Sequence, residues 1–171
     1  LNANPDVVVV VDEAYVDFSP KGSMLQVLHK HPNLIVLQTF SKAWGMAGLR
    51  VGLALADSRV VGLMSQVKYP YNINVATMKI VSDLLTKGID EEVEQIKQQR
   101  ALVAEALAEF KFVERVYPSD ANFLLVRVAD ADALYEHLIN DGIIVRNRTR
   151  VKGCEGCLRI TIGLKEENVK R

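Results

Sequence analysis

Cysteine is nearly absent from this chain: there are two among 171 residues. Two thiols cannot build the cross-linked framework of a small secreted domain, and their scarcity suits a reducing cytosol. Neither sign of charge is in excess, since 21 basic residues balance 21 acidic ones. No broad basic face is implied, so nucleic acid is not an expected partner. Long apolar runs are missing too. The first run, Val7 to Val11, is far too short to cross a bilayer and leads into Asp12 and Glu13. No signal-peptide pattern precedes it, so a cytoplasmic protein with no membrane partner is expected. His29, His31 and His137 show no metal-ligand spacing. Cys154-Glu155-Gly156-Cys157 has the spacing of a redox or zinc half-site, but zinc normally takes four ligands and a second such pair is lacking. Cys157 leads into an apolar strand and reads as a core residue, so no metal is expected.

The remaining composition is that of a globular protein, 49% hydrophobic and 25% charged. The length allows one domain with a real core or two small lobes. Asp6-Val7-Val8-Val9-Val10-Val11 and Asn33-Leu34-Ile35-Val36-Leu37-Gln38-Thr39 are continuous apolar runs, the mark of strands buried on both faces. Between them, Ser19-Pro20-Lys21-Gly22 is a turn and Met24, Leu25, Val27 and Leu28 suit a short helix, giving a βαβ unit. Arg50 to Ala56 reads as a third strand. Ile73, Ala76, Thr77, Ile80, Val81, Leu84 and Leu85 recur at helical spacing and are closed by Gly88. Asp90 is placed to cap a long helix whose buried face runs from Val93 to Phe110. Beyond it come four short strands (Phe112 to Tyr117, Asn122 to Val128, Ile143 to Arg146, Leu158 to Ile162) and one helix, Ala131 to Asn140, ended by Gly142. That lobe reads as α+β. The chain opens on Leu1, nearly at a strand, and Lys165 to Arg171 resembles the start of a helix, as expected for a piece of a longer protein.

Two polar motifs follow the carboxyl ends of the first two strands, Asp12-Glu13-Ala14-Tyr15 and Ser41-Lys42. Ligands in open α/β sheets bind at that edge. The Lys42 amine can condense with an aldehyde, Ser41 and Arg50 can hold a phosphate, Asp12 can pair with a protonated ring nitrogen, and Tyr15 can bond a ring hydroxyl. These partners are all found on pyridoxal 5′-phosphate (PLP). Lys42 precedes the apolar, glycine-rich Ala43-Trp44-Gly45-Met46-Ala47-Gly48, where an amine is expected to be partly desolvated. Each residue has a plainer reading. Asp12 can cap a turn, Arg50 can pair with Asp12 or Asp57, and Ser41 with Lys42 can be a hydrolase dyad. Against the dyad, adjacent strand-end residues point apart and no oxyanion-hole segment stands out. In the second lobe, Arg146 and Arg159 occur at strand positions where a forked cation is costly unless it meets an anion, the alternative being surface charge.

These motifs, with Ala47-Gly48-Leu49-Arg50-Val51-Gly52 and Cys157-Leu158-Arg159-Ile160-Thr161-Ile162-Gly163, resemble histidinol-phosphate aminotransferases over nearly the whole chain. Those enzymes are fold-type I, PLP-dependent and aspartate-aminotransferase-like. The resemblance implies part of the mostly parallel large-domain sheet over residues 1–90, a connecting helix over 91–110 and a truncated small α+β domain over 111–171. It implies Lys42 as the lysine that attaches PLP and moves the proton, Asp12 on the ring nitrogen and Tyr15 on O3′. Ser41 and Arg50 would hold the cofactor phosphate, Arg159 the substrate α-carboxylate and Arg146 the substrate phosphate. The implied reaction exchanges an amino group between histidinol phosphate and 2-oxoglutarate or glutamate, in a homodimer serving histidine biosynthesis. The family's amino-terminal half, with its phosphate loop, stacking ring and asparagine on O3′, cannot be located here. Threonine-phosphate decarboxylases and other aminotransferases share the core residues. A non-catalytic folded module is the alternative outside enzymes.

Overall fold

The valine run condenses into a shorter strand than its composition suggests, β1 at Val9–Asp12. In the computed structural model, which describes residues 1–169, the chain divides into two compact units, Leu1–Asp90 and Glu91–Arg171. In the first, β1 pairs in parallel with β2 (Leu34–Thr39), and the intervening chain holds the short helix α1 (Leu25–Leu28). Strand β3 (Gly52–Ala56) then pairs antiparallel with β2, giving the order β1-β2-β3. The β2 residues Leu34 and Val36 face inward and are fully buried. The opposite face is not covered: Val10 is 53% exposed, and its face-mates Asp12 and Leu37 are exposed as well. The expectation of burial on both faces therefore fails on the Asp12 side. A valine run reports that a strand is apolar, not that this stretch of chain supplies both of its covers.

Helix α2 (Ser58–Val67) was not anticipated from the sequence; its signal is Asp57, which caps it by accepting from the Arg59 N–H at 3.0 Å. Its apolar residues Val60, Leu63, Met64 and Val67 also recur at helical spacing, and Leu63 and Val67 of that stripe are largely exposed. Helix α3 (Val75–Leu85) starts two residues after the expected Ile73, because the Asn74 side chain accepts from the Thr77 N–H at 2.8 Å. Val81 of α3 packs with Met46 and Val51, and Phe40, Trp44, Leu49 and Leu84 gather around them. Removing that cap by Asn74→Ala should cost about 1 kcal/mol of stability in denaturant titrations.

The second unit starts within α4 (Asp90–Ala108), in which Asp90 is already the first helical residue rather than a preceding cap. Strands β4 (Val113–Val116), β5 (Phe123–Val128), β6 (Arg146–Asn147) and β7 (Cys157–Thr161) form one antiparallel sheet in the order β4-β5-β7-β6. Helix α5 (Ala131–Asn140) is capped by Asp130 and followed by Gly142 at φ +78°. Ile143 to Val145 is not strand, so only the end of that expected strand survives. Leu124, Val126, Val128, Leu158 and Ile162 face one way, onto Ile96, Val103 and Leu107 of α4 and Leu134 and Leu138 of α5. Among the described residues, no helix is long and apolar enough to cross a membrane. A final turn, α6 (Lys165–Asn168), is tied back by Asn168, whose amide donates to Gln99 of α4 and to the Gly163 carbonyl.

Candidate active site

The topology of the first sheet gathers the predicted groups on one edge. Because β1 and β2 are parallel, Asp12 and Thr39 end their strands on the same side. Because β3 is antiparallel, its start lies there too: Thr39 is paired with Gly52, two residues after Arg50. Ser41 and Lys42 leave β2 at this edge. Their loop is held by the Gly45 N–H donating to the Lys42 carbonyl at 3.1 Å and the Met46 N–H donating to the Phe40 carbonyl at 2.9 Å. Gly45 adopts φ +65°, which lets the chain turn so tightly. Phe40 and Trp44 meet edge-to-face at 5.9 Å, turning the apolar side of the loop inward and leaving Lys42 outside. Lys42 is exposed, so the desolvation expected from its apolar neighbours is not found; Met46 is buried and Trp44 half-buried on the other side of the loop.

The Lys42 ammonium instead stands over the Tyr15 ring, 5.3 Å from its centroid. Tyr15 is held by a 3₁₀ turn at Val16–Phe18 anchored on the buried Phe18. The Asp12 carboxylate accepts from the Ala14 N–H through one oxygen at 3.0 Å. Arg50 donates to the Ala47 carbonyl at 3.1 Å, while Asp57 takes Arg59 at 3.0 Å, so the plain salt-bridge reading of Arg50 with Asp57 does not hold. Among the described residues Arg50 is the non-glycine residue with positive φ, at +56°. Such a backbone costs roughly 1 kcal/mol or more and clusters at functional sites.

Glu13 was passed over in the sequence reading and is 8% exposed. Its carboxylate accepts from the Ser23 hydroxyl at 2.6 Å, the Met24 N–H at 2.7 Å and the Gln38 amide at 2.9 Å. Burial pushes this carboxyl up, but the bonds from Ser23, Gln38 and Met24 outweigh it and hold it below its ordinary 4.5. The stability so gained is fully present above pH 4.5 and is lost as the pH falls through the lower folded value. Glu13→Gln should therefore flatten the loss of stability below that pH, as read from denaturant midpoints along a pH series.

In the second unit, the register of β6 and β7 sets Arg146 directly opposite Arg159. Like charges so paired repel, and an anion between them removes the penalty. The Arg159 guanidinium also lies 4.8 Å from the Phe123 ring centroid. Arg146 opens onto a cleft of about 720 Å³ that it lines with Arg148, Arg150, Asn147 and Asp132. Arg115 and Arg127, paired across β4 and β5, occupy the same sheet face as Arg159. Cys157 is fully buried, and no cluster of metal-ligating side chains occurs among the described residues.

The family profile described as "Aminotransferase class I and II" matches residues 1–171. The chain belongs to this aminotransferase family. It is similar to the histidinol-phosphate aminotransferase of Parabacteroides distasonis, 50% identical over 167 residues, which are 96% of this chain and 48% of that protein. Among solved structures it is similar to the histidinol-phosphate aminotransferase of Clostridium acetobutylicum, with TM-score 0.86 and 26% identity, covering 95% of this chain and 51% of that one. It is also similar to the histidinol-phosphate aminotransferase of Sinorhizobium meliloti in complex with pyridoxal-5′-phosphate, with TM-score 0.77 and 25% identity over 95% of this chain and 46% of that one. The chain thus spans about half the length of the relatives it matches. The α/β architecture expected from the resemblance is present, and the three-strand sheet of the first unit holds one parallel and one antiparallel pair.

Proposed function

We propose that this chain supplies the cofactor lysine and the substrate-binding arginines of a PLP-dependent transaminase that exchanges an amino group between histidinol phosphate and 2-oxoglutarate. The observation that carries the reading is the gathering of Asp12, Tyr15, Ser41, Lys42 and Arg50 at one sheet edge, with the Lys42 amine over the Tyr15 ring. The donor set suits PLP by its chemistry: an exposed amine for the aldehyde, a carboxylate oxygen beside the one bonded to Ala14 for the ring N–H, and a hydroxyl with a guanidinium for the phosphate. Fifty per cent identity to one histidinol-phosphate aminotransferase supports that substrate over other amines. The working protein is proposed to be a cytoplasmic homodimer.

When bound, PLP supplies an electron sink for negative charge at the substrate Cα. Asp12 would keep the ring nitrogen protonated, Tyr15 would donate to the ring hydroxyl, and Ser41 with Arg50 would hold the phosphate. Lys42 would hold the cofactor through its amine and, when that amine is free, would serve as the general base that moves a proton at the substrate Cα. Arg159 holds the α-carboxylate of glutamate or 2-oxoglutarate, and Arg146 holds the phosphate of histidinol phosphate.

By itself the 171-residue chain is expected to bind PLP weakly and to be inactive. The helix-start phosphate loop that the family resemblance implies lies outside this sequence, and backbone N–H groups there supply much of the anion binding. The test is reduction of a PLP-treated sample with borohydride, followed by peptide mapping. Label concentrated on Lys42 supports the reading; label spread evenly over the exposed lysines refutes it.

A further inference from the structure

We propose that Glu13 is a positioning residue: its buried carboxylate ties the end of β1 to the start of α1 and to β2, and so sets where Asp12 and Tyr15 stand relative to Lys42. The catalytic meaning of those three residues rests on the reading above; the clamp itself does not. Glu13 follows Asp12, so the two side chains leave the strand on opposite faces. Asp12 goes to the exposed face and Glu13 to the covered one.

Three residues from two segments converge on the Glu13 side chain. Ser23 and Met24 belong to the turn that opens α1, and Gln38 lies on β2, four residues before Lys42. Gln38 also reaches the Ser23 hydroxyl at 3.3 Å, and that hydroxyl accepts from the Leu25 N–H at 3.0 Å, so the cluster is closed on itself. The Glu13 backbone works in the same sense. Its N–H donates to the Leu37 carbonyl at 2.8 Å, extending the parallel ladder beyond β1, and its carbonyl accepts from the Val16 N–H at 3.1 Å, starting the turn that carries Tyr15. Rotation of the strand end about its own axis would move Asp12 and Tyr15 together, and a charged, three-bonded anchor on the far face resists it. Buried charge-assisted bonds of this kind are short and strongly directional. Glutamine is a poor replacement: it removes the charge, and its NH₂ must stand either against the fixed Met24 N–H or against the donors from Ser23 and Gln38.

The stacked geometry gives a direct readout. The Lys42 ε-methylene protons, carried above the Tyr15 ring, should show an upfield ring-current shift in the NMR spectrum of the whole chain, with Tyr15→Leu as the zero reference. Glu13→Gln is expected to abolish most of that shift. Ser23→Ala and Gln38→Ala, each deleting one bond, should reduce it. Asn74→Ala, which destabilises the same unit through a helix cap, should leave it intact. A folded Glu13→Gln chain with the full wild-type shift overturns the proposal. If that variant does not fold, unchanged shifts in both Ser23→Ala and Gln38→Ala overturn it equally. Failure of the wild-type chain to take up PLP on Lys42 counts against the cofactor reading alone, since the ring-current series is recorded without PLP.

Discussion

Lys42→Ala should abolish transamination when this chain is joined to the amino-terminal half that its relatives carry. Loss of the general base alone removes about 10²–10⁴-fold in rate, and the same substitution removes the cofactor's attachment. Asp12→Ala should also slow turnover severely, because an unprotonated pyridine is a poor sink, yet it leaves Lys42 able to be labelled. The two variants separate by labelling: borohydride trapping is lost in Lys42→Ala and kept in Asp12→Ala. Turnover near the wild-type value in Lys42→Ala would refute the assignment. The product decides the chemistry as well. Release of carbon dioxide from a phosphorylated amino acid, rather than transfer of its amine, would place the protein with the decarboxylases that share these core residues.

The residues that could be read from sequence are those whose chemistry has a single obvious partner. A lysine, aspartate and tyrosine placed after strands, and an arginine placed before one, needed only the rule that α/β sheets bind at their carboxyl edge. The antiparallel register of β2 against β3 sets Gly52 opposite Thr39, so Arg50 lies at the same edge as Lys42, where the sequence reading also expects it. Lys42 was misjudged in its surroundings, since apolar neighbours in sequence were taken as neighbours in space; Trp44 and Met46 turn to the other side of the loop. Helix α2 was legible but not read: Asp57 caps it and Val60, Leu63, Met64 and Val67 follow at helical spacing. Glu13 escaped for a different reason. Its partners, Ser23, Met24 and Gln38, lie 10, 11 and 25 residues away, and nothing local marks a glutamate as buried. A signal existed in the alternation itself: if Asp12 faces a ligand, the next side chain must face the interior and needs donors there.

The two arginines of the small sheet should separate the two substrates. Arg159→Ala is expected to raise the Michaelis constants of glutamate and 2-oxoglutarate, whereas Arg146→Ala should damage histidinol phosphate far more than glutamate. Of these compounds only histidinol phosphate brings a phosphate, and only the acids bring an α-carboxylate. Deleting one partner of a buried charged pair costs about 2–5 kcal/mol, roughly 30-fold to several thousand-fold in affinity; Arg159 is half-buried and falls at the low end, and Arg146 is exposed, so its loss should cost less. The register predicts a further asymmetry. Arg146 and Arg159 face each other across β6 and β7, so in the free protein each raises the cost of the other. Removing Arg146 should therefore slightly stabilise the unliganded second unit even as it weakens phosphate binding, a combination that an ordinary structural arginine does not give. Arg146→Lys restores the charge but not the planar fork, and should recover only part of the lost affinity. Michaelis constants for histidinol phosphate and glutamate, measured in parallel with denaturant midpoints, test both halves. Equal damage to the two substrates in Arg146→Ala would show that this arginine does not select the phosphate, and a lowered midpoint would show that it is there to hold the sheet.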